Sequence, residues 1–254
     1  MNHAYSDTFI NYIDGGLRNS AMAFCKVLME WLNPQSVLDL GCGRGVWLDE
    51  WQKAGVRQIL GMDGDSVNRA QLAVEPGSFQ IADLTRPLRL TRRFDLAQSL
   101  ELGEHLPKDA ADILIDNLTA ASDCVLFSAA VVGQGGECHI NEQPLSFWQA
   151  KFEARGYRAY DCLRPVLKDN RQVQPWYRYN AVLYVNQVGT GNLPDAVLRH
   201  AVPKGHLLRN GGDLMWRLRR GILSHLPQRI VTQIAQTRAA ILAARAHRQL
   251  RAEG

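Results

Sequence analysis

Short apolar runs alternate with helical patterns along the first half of the chain. Consecutive apolar residues predict strands at 36–40, 58–62, 79–82, 94–99 and 124–129. Apolar residues that recur every three or four positions predict helices at 19–33, 47–54 and 110–121. This alternation predicts an α/β fold, in which a doubly wound, mostly parallel sheet is covered by helices on both faces.

The pattern changes after residue 130. Past a glycine-rich loop, a helix is predicted at 145–155 and strands at 157–163 and 179–185, the strands joined by a loop with Pro175, Trp176 and Tyr177. The segment that starts at Gly189 has the composition of a linker, and residues 230–250 have a helical composition. We therefore expect one domain over residues 1–188 and a basic, mainly helical extension over residues 189–254.

Composition indicates a globular protein of the cytoplasm. The chain has 254 residues, of which 46% are hydrophobic and 21% charged, as is ordinary for a globular domain. No apolar run approaches the roughly 20 residues that cross a bilayer. The first 13 residues contain Asp7 and no Lys or Arg, which argues against a secretory signal. The five scattered cysteines form no C-x-x-C pair, so reduced thiols are expected.

A glycine loop follows the first predicted strand. Gly41, Gly43 and Gly45 alternate with other residues directly before a helix, and Asp39 precedes them. Glycines let a backbone turn sharply and approach a ligand, and the helix presents free N–H groups. A dinucleotide site would need G-x-G-x-x-G, and Val46 departs from that pattern. The acid favours a ligand that carries an ammonium and a sulfonium group, as S-adenosylmethionine does.

At this loop the chain resembles the class I S-adenosylmethionine-dependent methyltransferases, which have a Rossmann-like fold. The resemblance implies that Asp63, at the end of the second strand, accepts hydrogen bonds from the ribose hydroxyls. It also implies that Asp83 and Leu84, at the end of the third strand, face the adenine. The fourth strand ends at Leu100, which would lie beside the methionine part of the cofactor. The similarity runs in the expected order from about residue 37 to residue 185.

A candidate metal site follows the fourth strand. Glu101, Glu104 and His105 have the spacing of one helical face, and His139 comes after the fifth strand at the same sheet edge. Two carboxylates and imidazole nitrogens suit Mg²⁺, Mn²⁺ or Zn²⁺. The segment is similar to that of metal-dependent O-methyltransferases that act on RNA 2′-hydroxyls or on catechols. Alternatively, the Glu-His pair braces the loop without a metal.

An alcohol acceptor needs a base or a metal at neutral pH. Imidazole titrates near neutrality, so His139 is the first candidate for the catalytic base and His105 the second. Either histidine could instead have a purely structural role. Trp176 and Tyr177 could equally stack on an acceptor or pack between two strands. Segments 134–143 and 176–180 resemble bacterial methyltransferases associated with glycan or secondary-metabolite synthesis.

Positive charge is concentrated in the extension. Residues 190–254 carry 11 Lys and Arg against 3 Asp and Glu, whereas the whole chain has a net charge of +4. This extension could bind nucleic acid, lie on an anionic membrane, pack on another subunit or simply be solvated. Aliphatic residues among its first arginines favour an amphipathic helix, and no RNA-binding motif accompanies them.

The leading hypothesis is therefore an enzyme, an S-adenosylmethionine-dependent methyltransferase that acts on a hydroxyl of a small molecule or glycan. One alternative is an RNA 2′-O-methyltransferase that uses a divalent metal. Another is a protein that binds the cofactor without turnover, in a regulatory or scaffold role. The sequence indicates neither the acceptor nor the oligomeric state.

Overall fold

The fold is a seven-stranded sheet with helices on both faces. The computed structural model describes residues 7–227, 229–237 and 240–241, with side chains from residue 15 onward. The strands are β1 (Ser36–Leu40), β2 (Gln58–Asp63), β3 (Phe79–Ile81), β4 (Leu96–Leu100), β5 (Cys124–Ser128), β6 (Arg158–Tyr160) and β7 (Val182–Val185). Their order is β3-β2-β1-β4-β5-β7-β6, and only β7 runs antiparallel to its neighbours. The predicted doubly wound, mostly parallel sheet is confirmed.

Longer and shorter helices surround this sheet. They are α1 (Asp7–Trp31), α2 (Val46–Lys53), α3 (Ala111–Ala121), α4 (Leu145–Glu153), α5 (Leu163–Leu167), α6 (Pro175–Asn180), α7 (Gln187–Thr190), α8 (Asp195–Leu198) and α9 (Leu214–Leu223). Residues 229–237 and 240–241 are also helical. Among the described residues, no helix is both long enough and apolar enough to cross a membrane.

The strands alternate between two apolar clusters because successive side chains point to opposite faces. Val37 and Leu96 pack with α1 and α2 on one face, while Leu38 and Ala97 pack with α3 and α4 on the other. Both faces are covered, so β1, β4 and β5 are buried along their whole length. This explains their continuous apolar pattern.

Two predicted strands near the end of the domain are present but shorter than expected. The strand predicted at 179–185 begins only at Val182, because Tyr179 and Asn180 end helix α6. Pro175, expected in a loop, occupies the first turn of that helix, where its missing N–H costs no hydrogen bond. The strand predicted at 157–163 is limited to β6, and Leu163 starts α5.

The extension continues along the sheet edge. Val202 N–H donates to the Ala159 carbonyl and Asp161 N–H to the His200 carbonyl. The boundary predicted at residue 188 falls inside α7 and stays a prediction. Of the helix predicted at 230–250, residues 242–250 lie outside the described residues, as do Arg238, Arg245, Arg248 and Arg251.

Candidate functional site

The glycine loop is compact and left-handed at each glycine. The φ angles of Gly41, Gly43 and Gly45 are 82°, 53° and 79°, a region that residues with a Cβ rarely adopt. A Cβ on Gly41 would lie 2.8 Å from Leu102 Cδ2, whereas one on Gly43 would meet nothing within 4 Å. Gly43 therefore faces open space, where a ligand can approach the backbone.

Asp63 joins this loop to a cavity. Its Oδ2 accepts a hydrogen bond from Gly43 N–H (2.6 Å), and its Oδ1 accepts one from Gly64 N–H (2.7 Å). The cavity has a volume of about 450 Å³ and lies at the ends of β2, β3 and β4. Its lining consists of Asp63, Gly64, Asp65, Ile81, Ala82, Asp83, Leu84, Thr85, Leu102 and Leu106. Three acids thus line an otherwise largely apolar cavity.

Asp83 is held at the rim of the cavity. Its Oδ1 accepts hydrogen bonds from the backbone and hydroxyl of Thr85 (3.0 and 2.6 Å), which lower the pKa of this exposed carboxyl. Leu84 beside it is buried. The structure therefore brings Asp63, Asp83 and Leu84 to one cavity, as the predicted adenosine contacts require. Their role in cofactor binding stays a prediction.

Asp39 lies below the loop and does not line the cavity. It is 3% exposed in β1, next to Gln98 of β4. The side-chain amide oxygen of Gln98, Oε1, accepts a hydrogen bond from the Trp51 indole N–H (2.8 Å). Burial raises the pKa of Asp39 to about 7, an effect that Gln98 opposes and the Asp63 carboxylate increases. Leu100 is likewise buried, at the end of β4. Asp39 would act on a ligand through its charge.

Two buried carboxyl groups meet beyond the end of β4. Glu101 has a φ of 56°, which is costly for a residue with a Cβ, and its N–H donates to the Ser128 carbonyl of β5 (3.0 Å). Among described residues, none makes a hydrogen bond of normal geometry to Oε1 of Glu101 or to either carboxylate oxygen of Glu104. Burial first, and then Glu101, raises the pKa of Glu104 well above its usual range. Burial also raises the pKa of Glu101.

His139 lies beside these carboxyl groups and is oriented by a residue that the sequence analysis missed. Its Nδ1 is 2.9 Å from Glu142 Oε1, and its Nε2 is 4.0 Å from Glu104 Oε1. Glu142 also accepts from Gly133 N–H (2.8 Å) and Gly135 N–H (2.7 Å). Burial raises the pKa of Glu142, but these bonds outweigh it and lower that pKa. The ionised Glu142 favours a proton on Nδ1, so Nε2 is the unprotonated nitrogen of the neutral ring and lies on the side of Glu104.

His105 completes a cluster that could hold a metal ion. One ligand atom each from Glu104, His105 and His139 lies within 4.8 Å of the others. The His105 and His139 rings meet edge to face at 5.0 Å. Burial, then the neighbouring His139, lowers the pKa of His105, which keeps the imidazole neutral and able to act as a ligand. Glu101, the fourth predicted ligand, is not part of this cluster.

Gln134 connects Glu101 to helix α6 and was also missed. Its Nε2 donates to Glu101 Oε2 (2.7 Å), and its Oε1 accepts from Asn180 Nδ2 (2.7 Å). All three side chains come from separate segments of the chain. Only the presence of polar residues within otherwise apolar patterns could have indicated these side chains, because a sequence does not give the distances between loops.

The aromatic residues of α6 belong to the core. Tyr177 is buried and its ring meets that of Trp47 edge to face at 5.1 Å. Trp176 is partly buried against the same apolar cluster. Two alternative roles were predicted for this pair, stacking on an acceptor or packing. The burial of Tyr177 agrees with the packing role.

The amino-acid sequence matches one known protein family. Residues 18–127 match the family model described as a methyltransferase domain. These residues extend from the second half of α1 to β5 and include the glycine loop, Asp63 and the Glu101–Glu104 pair. No curated protein matches the sequence significantly.

Solved structures share the fold at low sequence identity. DesVI of Streptomyces venezuelae has a TM-score of 0.55 at 13% identity, over 73% of this chain and 99% of its own. An O-methyltransferase family protein from Burkholderia thailandensis has a TM-score of 0.49 at 10% identity, over 65% of this chain and 55% of its own. The sugar N-methyltransferase KedS8 from a Streptoalloteichus species has a TM-score of 0.49 at 15% identity, over 66% and 87%.

The family match and the sheet order agree with the fold and the enzyme class that the sequence predicts. The cofactor of this enzyme class is S-adenosylmethionine. Residues 18–127 thus match a methyltransferase domain, and the enzyme class agrees with the S-adenosylmethionine-dependent methyltransferases that the sequence predicts.

Proposed function

We propose that the protein methylates a hydroxyl oxygen of a small-molecule or glycan acceptor, with His139 as the base. The observation that carries this proposal is the contact of buried His139 with half-buried Glu142, beside the two carboxyl groups beyond the end of β4. A hydroxyl with a pKa far above neutrality needs proton removal as the new bond forms. An amine acceptor, neutral at the site, would not need the same help before it attacks.

The cofactor would lie between the glycine loop and the cavity. Asp63 would accept from the ribose hydroxyls, Asp83 would face the adenine and Leu84 would pack on its ring. A cavity with three carboxylates and aliphatic walls fits a nucleoside. Gly41, Gly43 and Gly45 would let the backbone approach the amino-acid part, next to Leu100. S-adenosylmethionine supplies an electrophilic methyl group, so the protein's task is alignment and exclusion of water.

His139 would take the acceptor proton on Nε2. Glu142 holds the proton of Nδ1, so the ring presents a lone pair at Nε2. The carboxylate of Glu142 would also stabilise the imidazolium formed by the transfer. His105 is the second candidate, but its lowered pKa makes it the weaker base.

A divalent metal fits the same cluster. Glu104, His105 and His139 would hold it, with Glu101 next to Glu104, and the unpartnered carboxylate oxygens suit such an ion. When bound, Mg²⁺, Mn²⁺ or Zn²⁺ would lower the pKa of a coordinated hydroxyl. His139 would then be a ligand, and metal and base are alternative roles for it.

The metal cluster favours an RNA 2′-hydroxyl as the second candidate acceptor, since a 2′- and a 3′-oxygen can reach one ion together. The basic extension agrees with this candidate. A regulatory protein that binds the cofactor without turnover would show no transfer to any acceptor.

The experiment is transfer of a labelled methyl group to a panel of sugars, catechols, amines and short RNAs. We expect hydroxyl acceptors to be labelled and His139→Ala to lose at least about 100-fold in kcat. His206→Ala, which removes an exposed imidazole away from the site, is the matched control. Labelling of amines alone, or full activity of His139→Ala, would contradict the proposal.

A chelator separates the two roles of His139. If a metal is used, EDTA should abolish transfer, Mn²⁺ should restore it, and Glu104→Gln should remove the metal response. Glu75→Gln, an exposed carboxyl elsewhere, should respond like the wild type. Unchanged transfer in EDTA by a metal-stripped protein leaves His139 as the base and excludes the metal.

A further inference from the structure

Helix α9 exposes an aliphatic face on the side away from the domain. Leu214, Met215, Leu218 and Ile222 are between 56% and 78% exposed and fall within about 100° of the helix circumference. Leu223, on the opposite side, is buried. We call these four residues, with Arg217, the α9 surface.

The helical stretch after α9 repeats this arrangement. Ile230 and Ile234 are exposed, whereas Val231 is buried. A Cβ on Gly135 would lie 2.8 Å from Val231 Cγ1 and 3.2 Å from Leu223 Cδ1. Both helices therefore pack on the loop that contains Gly135 and turn aliphatic side chains outward, where water is an unfavourable neighbour.

A cationic cleft adjoins the α9 surface. It has a volume of about 380 Å³ and is lined by Val132, Asn210, Arg217, Arg220, Gly221 and Ser224. No carboxylate lines it. Arg220 Nη2 donates a hydrogen bond to the Val132 carbonyl (3.0 Å). Within the described part of the chain, the Arg217 guanidinium makes no hydrogen bond or ion pair. The cleft therefore has an uncompensated positive charge next to an aliphatic face.

We propose that the α9 surface docks on an anionic lipid bilayer. The aliphatic side chains would enter the boundary between headgroups and acyl chains, and Arg217 would bind a lipid phosphate in the cleft. A nucleic acid would use the arginines and leave the aliphatic face in water. A second copy docked by the same face would bring two cationic clefts together. An anionic membrane complements both properties at once.

Docking of the α9 surface on a bilayer would bring the loop beside the proposed catalytic site close to the membrane. Arg219 Nη1 donates to the Gln134 carbonyl (2.8 Å), and Gln134 in turn holds Glu101. Acceptors at the membrane surface would thus meet the enzyme close to residues 134–142. The docking proposal itself does not depend on which atom is methylated.

Co-sedimentation of the full chain with vesicles tests the proposal. We expect binding to vesicles of equal parts phosphatidylglycerol and phosphatidylcholine, little binding to phosphatidylcholine alone, and weaker binding at high salt. Arg217→Ala should lower the partition coefficient about five-fold. Leu218→Asp and Met215→Asp should each lower it at least about ten-fold. These side chains are exposed, and circular dichroism should show that the variants fold.

Two matched controls lie elsewhere on the surface. Arg199→Ala removes an exposed arginine and Val188→Asp places a charge on an exposed aliphatic residue, and both should bind as the wild type does. Equal binding to both vesicle types, unchanged binding of Leu218→Asp, or no vesicle binding at all would overturn the proposal. A dimer that Leu218→Asp dissociates would also overturn the proposal. Binding to single-stranded RNA or inorganic phosphate without binding to vesicles would do the same.

Discussion

At the residue scale, the site combines carboxyl groups whose pKa values are shifted in opposite directions. Burial raises the pKa values of Asp39, Glu101 and Glu104, whereas hydrogen bonds lower the pKa of Glu142. Such contrasts between neighbouring carboxyl groups are characteristic of catalytic and binding sites. They arise from tertiary structure, so a sequence that shows every one of these acids cannot show which are ionised.

Glu142 should act on catalysis through His139. Glu142→Gln keeps a hydrogen-bond acceptor but removes the charge that stabilises the imidazolium, and we expect kcat to fall about ten-fold with KM for the cofactor unchanged. Steady-state kinetics measure both constants. A loss of activity that also raises KM for the cofactor would mean that Glu142 only supports the loop.

Asp39 should make cofactor binding depend on pH. Its raised pKa leaves it protonated in the free protein below about pH 7, whereas a cationic ligand favours the ionised form. Affinity for S-adenosylmethionine should therefore rise with pH to about 7 and then level off. Asp39→Asn should abolish this dependence and weaken binding about ten-fold at pH 8. Titration calorimetry across pH 6–8 measures both, and an unchanged pH profile in the variant would exclude this role.

The same carboxyl affects stability in the opposite direction. Because the pKa of Asp39 is higher in the folded than in the unfolded state, its contribution to stability falls as pH rises from about 4 through 7. Asp39→Asn should then increase the free energy of unfolding at pH 8, with less difference at pH 4. Urea unfolding at the two pH values provides the comparison.

At the element scale, α9 supports the loop of residues 132–136. Arg219 and Arg220 donate to its carbonyl groups, and a Cβ on Gly133 would lie 2.3 Å from the Arg220 carbonyl oxygen. The loop carries the N–H groups that bind Glu142, so α9 supports the segment that orients His139. The sequence alone leaves several alternative roles for this basic helix. In the structure, the helix has the role of supporting the loop.

Gly133→Ala tests that connection. Its φ is 78°, while Gly156, with a φ of 80°, has nothing within 4 Å of a built Cβ. Gly156→Ala should cost about 1 kcal/mol for the left-handed backbone alone. Gly133→Ala should cost about 2–3 kcal/mol, since backbone must move, and should also reduce activity. Thermal unfolding and transfer assays check both. Equal effects of the two substitutions would show that the contact with α9 is unimportant.

The sheet was predictable where strands are buried on both faces. Residues 36–40 and 124–129 are continuous apolar runs, and both form strands close to the predicted bounds. The prediction failed for residues 175–181, where a loop through Tyr177 and a strand from residue 179 were expected and helix α6 forms. A proline that starts a helix also fits a loop, and tyrosines fit a strand as well as a helix. Secondary structure there follows from packing against Trp47, which lies far away in the sequence.

At the scale of the whole molecule, the order of elements along the chain predicted the placement of the residues proposed to bind the cofactor. It predicted the placement of those proposed to face the acceptor less well. Asp63 and Asp83 meet because parallel strands end at one edge. The partners of His139 depend on a long loop and on the extension, for which the sequence has no comparable rule. Glu142 and Gln134 were therefore missed. Asp39 was expected among the cofactor-binding residues with Asp63 and Asp83, and it does not line their cavity.

The central claim is that one nucleoside cofactor occupies the cavity between Asp63 and Asp83. Calorimetric titration of S-adenosylhomocysteine, the demethylated product, into the folded protein tests it most directly. We predict one binding site, no heat with NAD, and binding at least about ten-fold weaker in Asp63→Asn, because the ribose hydroxyls lose a charged acceptor. Wild-type protein that releases no binding heat, or an Asp63→Asn variant that binds equally well, would contradict the account.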